Sequence, residues 1–274
     1  MIQKPTKKED FDRYVHISFS QLKTYLTCPQ KYLFQYVRGI PWEFIPEYFP
    51  FGKGIHDMAK VFYRNLKETG RRLPVEALTD QFKKTWDKET QGDNIRYKEG
   101  QARDTLREKG IQMVKVFYDN ISPQRIVAVE FPFSVDLILK ETGEILPIKL
   151  TGIFDLIESD DEGNFVIVEL KTSSKRFSDD QLDLDLQGTL YSYALKQMGF
   201  HTNGEDTLVR YDQLLKLKNP AMESYFALKG TVDYTWAFHL IRKVLRAIDH
   251  EVFYPIPGWQ CKDCPFGKAC QQEQ

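Results

Sequence analysis

Residues 164–172 read NFVIVELKT, and the fold turns on them. The apolar, β-branched run Phe165 to Val168 suits a strand inside a sheet. Side chains on a strand alternate faces, so Val166, Val168 and Leu170 point one way, toward a core, and Ile167, Glu169 and Lys171 point the other. A carboxylate and an ammonium thus share one face, two residues apart, on a strand whose apolar approach argues for a central place where charges are unexpected. By itself Glu-x-Lys also describes an ordinary solvated strand, so its surroundings matter.

Immediately upstream, IVAVEFPFSVDL (126–137) and EILPIKLTGIFDLIE (144–158) read as two further strands. The acidic stretch SDDEGN (159–164) makes a hairpin-like turn into the third. Asp155 then stands just across the hairpin from Glu169. Two carboxylates from neighbouring strands suit a hard divalent ion such as Mg²⁺ or Mn²⁺. An ion of this kind with a lysine beside it can activate water, offset the charge of a pentavalent phosphorus and assist a leaving oxygen, which is what phosphodiester cleavage requires.

Downstream, a helix is expected over about 181–198, a strand over 207–215, a short strand at FALKG and a long amphipathic helix over 231–250. Gln187 and Tyr191 are four apart on one face of the first of these helices. They read either as a hydrogen-bonded helix edge or as a pair facing the lysine strand. Lys175 and Arg176 follow that strand and could meet phosphate, or be plain solvated charges.

Toward the N-terminus, residues 1–16 read as a loose tail. A hydroxyl-capped helix begins at Ser18 or Ser20, and Pro29 opens a second short helix. Residues 39–51 read as an ordered, proline- and aromatic-rich loop. A helix over 52–69 carries the stripe Ile55, Met58, Ala59, Phe62 and Leu66, with His56 beside it. That histidine is either a core-edge residue or a nitrogen ligand to the same metal. Two amphipathic helices, about 75–89 and 96–119, flank a loop around Gly92, Asp93 and Asn94. The order implies an α/β architecture, a mixed central sheet flanked by helices. One domain is expected over 17–274. It comprises an N-terminal helical elaboration (about 52–120), a catalytic core (121–252) and a cysteine-rich tail (253–274).

The chain has 274 residues, 42% hydrophobic and 28% charged, with a net charge of -1. That balance neither demands nor excludes a nucleic-acid partner, since only the groove facing phosphate must be basic. No apolar run is long enough for a membrane span, and the first residues lack the apolar segment of a secretory signal. The expectation is a cytoplasmic protein with no membrane partner, where cysteines more often ligate metals than form disulfides.

There are four cysteines. Cys261, Cys264 and Cys270 make a C-x2-C-x5-C tail, and Cys28 lies more than two hundred residues earlier. Four thiolates suffice for a [4Fe–4S] cluster or a structural Zn²⁺. Spacing leaves the two open. Either would staple the first helices to the tail and make metal binding part of folding.

Taken in order, these pieces resemble the RecB-like branch of the PD-(D/E)xK nuclease superfamily, a restriction-endonuclease-like fold. More narrowly they are similar to its iron–sulfur members: the AddB nuclease domain, the CRISPR-associated adaptation nucleases and the eukaryotic replication helicase–nuclease. The matching elements are Cys28, Gly52-x-x-x-His56, Gly152-x-x-Asp155, Glu169-x-Lys171, Gln187-x-x-x-Tyr191 and the C-terminal cysteines. The resemblance implies that His56, Asp155 and Glu169 ligate Mg²⁺ or Mn²⁺ with the backbone carbonyl of Leu170. It further implies that Lys171 is the catalytic lysine, that Gln187 and Tyr191 position DNA, and that the cysteines hold [4Fe–4S]. Glu130 matches a recurrent glutamate whose role stays open.

The activity implied is exonucleolytic cleavage of single-stranded DNA or DNA ends. Its setting would be repair, recombination or CRISPR-type adaptation, alongside recombination, replication or CRISPR adaptation proteins. The alternative is a non-catalytic iron–sulfur DNA-binding or assembly protein of the same fold. No G-x-x-x-x-G-K-[ST] motif is present, so a fused helicase is not expected.

Overall fold

Apolar helical stripes lie on both sides of the strand-rich middle of the chain, and the computed structural model uses them to cover one sheet on both faces. It describes residues 16–92, 94–200, 204 and 206–273. The expected N-terminal tail lies outside the described residues except for His16, as does Asp93.

The main sheet is built around β5 (Glu144–Ser159). The strand β4 (Arg125–Leu139) runs antiparallel along one edge of β5. The other edge is shared. Residues 149–151 pair in parallel with β1 (His16–Ser18), and residues 156–159 pair antiparallel with β6 (Phe165–Ser173). Between these ladders, residues 152–155 have no strand partner on that edge. The sheet continues with β7 (Thr207–Leu215), parallel to β6, and β8 (Ala221–Lys229), antiparallel to β7. It is therefore mixed, as expected.

One face is covered by α1 (Phe19–Thr27), α7 (Leu186–Gln197) and α8 (Thr231–Asp249), which bury Leu22, Leu190, Ala194 and Ile241 with Ile167 of β6. The other is covered by α3 (Tyr48–Thr69), α4 (Val75–Glu89) and α5 (Arg103–Asn120), which bury Phe62, Trp86 and Phe117 with Val166, Val168 and Leu170. The alternation read along β6 is thus correct, but it separates two cores rather than core from solvent. Ile167 is as deeply buried as its neighbours.

Local chemistry sets the boundaries. Ser18 and Gln21 form a reciprocal capping box at the start of α1. The second short helix, α2 (Pro29–Tyr32), follows directly and continues into a π turn (Leu33–Val37). The stretch 39–51 is not all loop: β2 (Ile45–Pro46) pairs in parallel with β3 (Ile95–Arg96), and α3 begins at Tyr48, with Pro50 tolerated in its first turn. Pairing at residues 95–96 and a left-handed turn at Gly100 (φ 74°) delay α5 to Arg103. The single helix expected over 181–198 is two, α6 (Asp179–Asp183) and α7. Asp185 caps a fresh start by accepting the Gly188 N–H at 2.6 Å. Among the described residues, no helix is long and apolar enough to cross a membrane.

Candidate active site

The stretch of β5 that lacks a partner on its β6 edge is where the chemistry gathers. With no carbonyl opposite it, the buried Leu170 N–H donates instead to Asp155 Oδ2 at 3.0 Å. The other Asp155 oxygen, Oδ1, stands 3.5 Å from His56 Nδ1 on α3. Burial works against a charged His56, but the hydrogen bond and charge of Asp155, with the charge of Glu169, outweigh it and raise its pKa. Glu130 lies opposite Asp155, bracketed by the pairs Val129–Leu156 and Phe131–Phe154. It holds a left-handed backbone, φ 50°, and its carboxylate is 3.5 Å from Lys60 Nζ. His56, Glu130 and Asp155 each offer a ligand atom, all within 4.8 Å of one another, so the three could hold a metal ion.

Beside this group Lys171 Nζ donates to Glu169 Oε1 at 2.7 Å and to Gln187 Oε1 at 2.6 Å. Gln187 Nε2 closes the triangle on Glu169 Oε1 at 2.7 Å. A lysine carries three N–H donors, so one remains for a ligand. Glu169 Oε2 is buried with no hydrogen-bond partner. Burial, with Asp155 adding repulsion and Lys171 and His56 opposing, pushes the Glu169 carboxyl up to about 7. A buried carboxylate oxygen with no partner is what a cation would relieve, although the close three-residue group takes Glu130 and not Glu169 as its third member.

Gln187 and Tyr191 are themselves buried. Tyr191 bonds Gln187 and the backbone of Ile153, and packs its ring edge-on against Phe133 and Phe154. Gly152 makes room for this: a methyl group there would lie 2.5 Å from Phe133 Cζ and 3.2 Å from Tyr191 Cε1. Arg176, considered for phosphate, is tied to Glu223 at 2.8 Å.

The cysteines come together at the far end of α1. Cys28 sits between α1 and the next helix, and all four are free and line one cavity of about 250 Å³. Gln30 N–H donates to the Tyr254 carbonyl at 3.0 Å, Tyr25 Oη to that of Val252 at 2.8 Å, and Glu43 N–H to that of Pro265 at 3.1 Å. The two chain ends are therefore packed on each other around the thiols.

A family model described as the PD-(D/E)XK nuclease superfamily matches residues 16–271. The chain belongs to that superfamily. As a PD-(D/E)XK chain it is expected to work with a divalent metal, and the donor set just described fits one. The crystal structure of a candidate exonuclease from Eubacterium rectale aligns over 99% of this chain and 94% of its own, with 14% identity and a TM-score of 0.53, a likeness of fold. The crystal structure of SSO0001 aligns over 93% and 94% with 15% identity and a TM-score of 0.35. No curated protein matches the chain.

The structure brings His56, Asp155, Glu169, Leu170, Lys171, Gln187 and Tyr191 to one place, and the four cysteines to another. Two participants were hidden in the sequence. Glu130 carries no role that the sequence assigns, and counting back from the hairpin of β4 and β5 sets it opposite Ile153; the register shift between Asp136 and Ile138 is what brings it to Asp155. Lys23 of α1 stands near Lys171 and Asp185. Burial, reinforced by Lys171, lowers its pKa. No local signal links α1 to the lysine strand.

Proposed function

We propose that this superfamily member is a metal-dependent deoxyribonuclease, an exonuclease acting on single-stranded DNA or DNA ends. The observation that carries the reading is the buried, unpartnered Glu169 Oε2 beside Lys171 and the group His56, Glu130 and Asp155. His56, Asp155, Glu169 and the Leu170 carbonyl hold Mg²⁺ or Mn²⁺, with Glu130 as a further carboxylate. The ion supplies Lewis-acid charge to the phosphoryl oxygens when bound.

The protein's own groups do the rest. Lys171 keeps its proton, because Glu169 and Asp155 more than offset its burial. Its free N–H aims at the attacking water or at a phosphate oxygen. Gln187 fixes that ammonium, and Tyr191 fixes Gln187 and the β5 backbone, so the pair positions DNA through the groups they hold. Nothing in this set reads a base, which supports cleavage without sequence preference.

In the same proposal the four cysteines carry a [4Fe–4S] cluster. The four thiols line one cavity of about 250 Å³, and the resemblance to iron–sulfur nucleases is what favours the cluster over Zn²⁺ there. The biological setting is DNA repair, recombination or CRISPR-type adaptation, in the cytoplasm.

Digestion of 5′- and 3′-labelled single strands and duplexes with Mn²⁺, with and without chelator, tests the activity. Metal-dependent shortening of labelled strands is expected. Absence of cleavage on every substrate, with binding retained, would establish the non-catalytic alternative.

A further inference from the structure

On β6, Thr172 follows Lys171 and turns to the opposite face of the sheet. There it meets the first turns of α3: a methyl group on Gly52 would lie 3.8 Å from Thr172 Oγ1. A cleft of about 230 Å³ opens beside this contact, lined by Thr172, Ser173 and Ser174, by Phe51, and by Lys98 and Lys216. Lys216 Nζ sits 4.8 Å from the centre of the Phe51 ring, and Lys98 Nζ 5.9 Å from that of Tyr48.

The cleft is short of negative charge. Glu47 lies 3.7 Å from Lys98 Nζ, and no other described acidic side chain comes within 4.0 Å of either ammonium. Burial weakens the hold of Lys216 on its proton, Glu47 offsets this, and the charge of Lys98 adds to it. An anion would relieve both lysines, and the hydroxyls of Thr172 and Ser174 can donate to its oxygens, while that of Ser173 is committed to the Lys175 carbonyl.

Its place is also informative. Phe51 and His56 are five residues apart on α3, about 7.5 Å along the helix axis. The rim carries exposed aromatics. Tyr48 and Phe49 have ring centroids 4.7 Å apart, and the half-buried Trp42 is 4.9 Å from Phe49. Aromatic faces next to cationic side chains are how proteins hold unstacked single strands.

We infer that the Lys98–Lys216 cleft is a subsite for a non-scissile backbone phosphate of a single-stranded substrate, with the adjoining base laid against Tyr48 and Phe49. The inference rests on the nuclease reading for its substrate but is tested by binding.

The test is fluorescence anisotropy of labelled single-stranded oligonucleotides in chelator, each carrying one neutral methylphosphonate linkage stepped along the strand. With wild type, one linkage position is expected to weaken binding on the order of tenfold. The double variant Lys98→Gln/Lys216→Gln should bind the unmodified strand about as weakly and be insensitive at that position. Lys216→Arg should restore the sensitivity and excludes misfolding as the cause. If no position distinguishes wild type from the double variant, the subsite is wrong, whether or not the protein cuts DNA. Position-specific binding in a wild type that never cleaves would overturn the nuclease reading and leave the subsite standing.

Discussion

Asp155 accepts the backbone N–H of Leu170 at 3.0 Å, and in doing so takes the place of a missing strand carbonyl where β5 and β6 part. The carboxylate therefore has a structural duty as well as a chemical one, and substitutions can separate them. Asp155→Asn keeps an acceptor oxygen for Leu170 and should change the thermal midpoint by no more than about 2 °C. It should nonetheless lose Mn²⁺-dependent cleavage. Asp155→Ala leaves a buried N–H unsatisfied and should also cost about 1–3 kcal/mol in denaturant unfolding. Full activity in the asparagine variant would remove Asp155 from the metal site.

Lys171→Ala deletes the one ammonium that bridges Glu169 and Gln187. Cleavage in Mg²⁺ or Mn²⁺ should fall by at least about 100-fold, with a native circular-dichroism spectrum. Wild-type rates in this variant would sink the catalytic assignment.

Glu130 offers effects of opposite sign. At φ 50° an L-residue costs roughly 1 kcal/mol relative to glycine. Glu130→Gly should hold or raise the thermal midpoint while cutting Mn²⁺-dependent activity by about tenfold or more. Lower stability together with unchanged activity would mean that the strained backbone serves packing instead.

Gly152 is crowded rather than bent. Its substitution by alanine would drive a methyl group into the Phe133 ring and toward Tyr191. Overpacking of this kind costs about 1–3 kcal/mol. Because Tyr191 also holds Gln187 and Ile153, the cleavage rate should drop at temperatures where the variant is fully folded. A variant that is less stable but equally fast would limit Gly152 to packing.

The thiols give a colour test. Protein purified without oxygen should be brown and contain iron. Cys28→Ser should lose the colour and unfold as a whole at a lower temperature, since the tail packs on the first helices around the cavity. A loss of about 3 kcal/mol corresponds to roughly 10 °C. Stoichiometric zinc without iron would refute the cluster.

Much of this molecule is written locally. The alternation Val166 to Lys171 fixed which side chains share a face, and hydroxyl and carboxylate caps fixed helix starts, because both depend on neighbours a few residues away. The mixed α/β class followed from the order of such segments. The C-x2-C-x5-C spacing of Cys261, Cys264 and Cys270 is local too, but only the fold brings Cys28 to the same cavity. Other features needed the fold. The β5 edge shared by β1 and β6, which leaves residues 152–155 unpaired, arises from strands more than a hundred residues apart in sequence. Local periodicity cannot express that. The same holds for the pairing of Lys98 with Lys216, for the burial of both faces of β6, and for the orphaned oxygen of Glu169. Solvent exclusion and electrostatic company are properties of what packs nearby, and only the tertiary structure decides them.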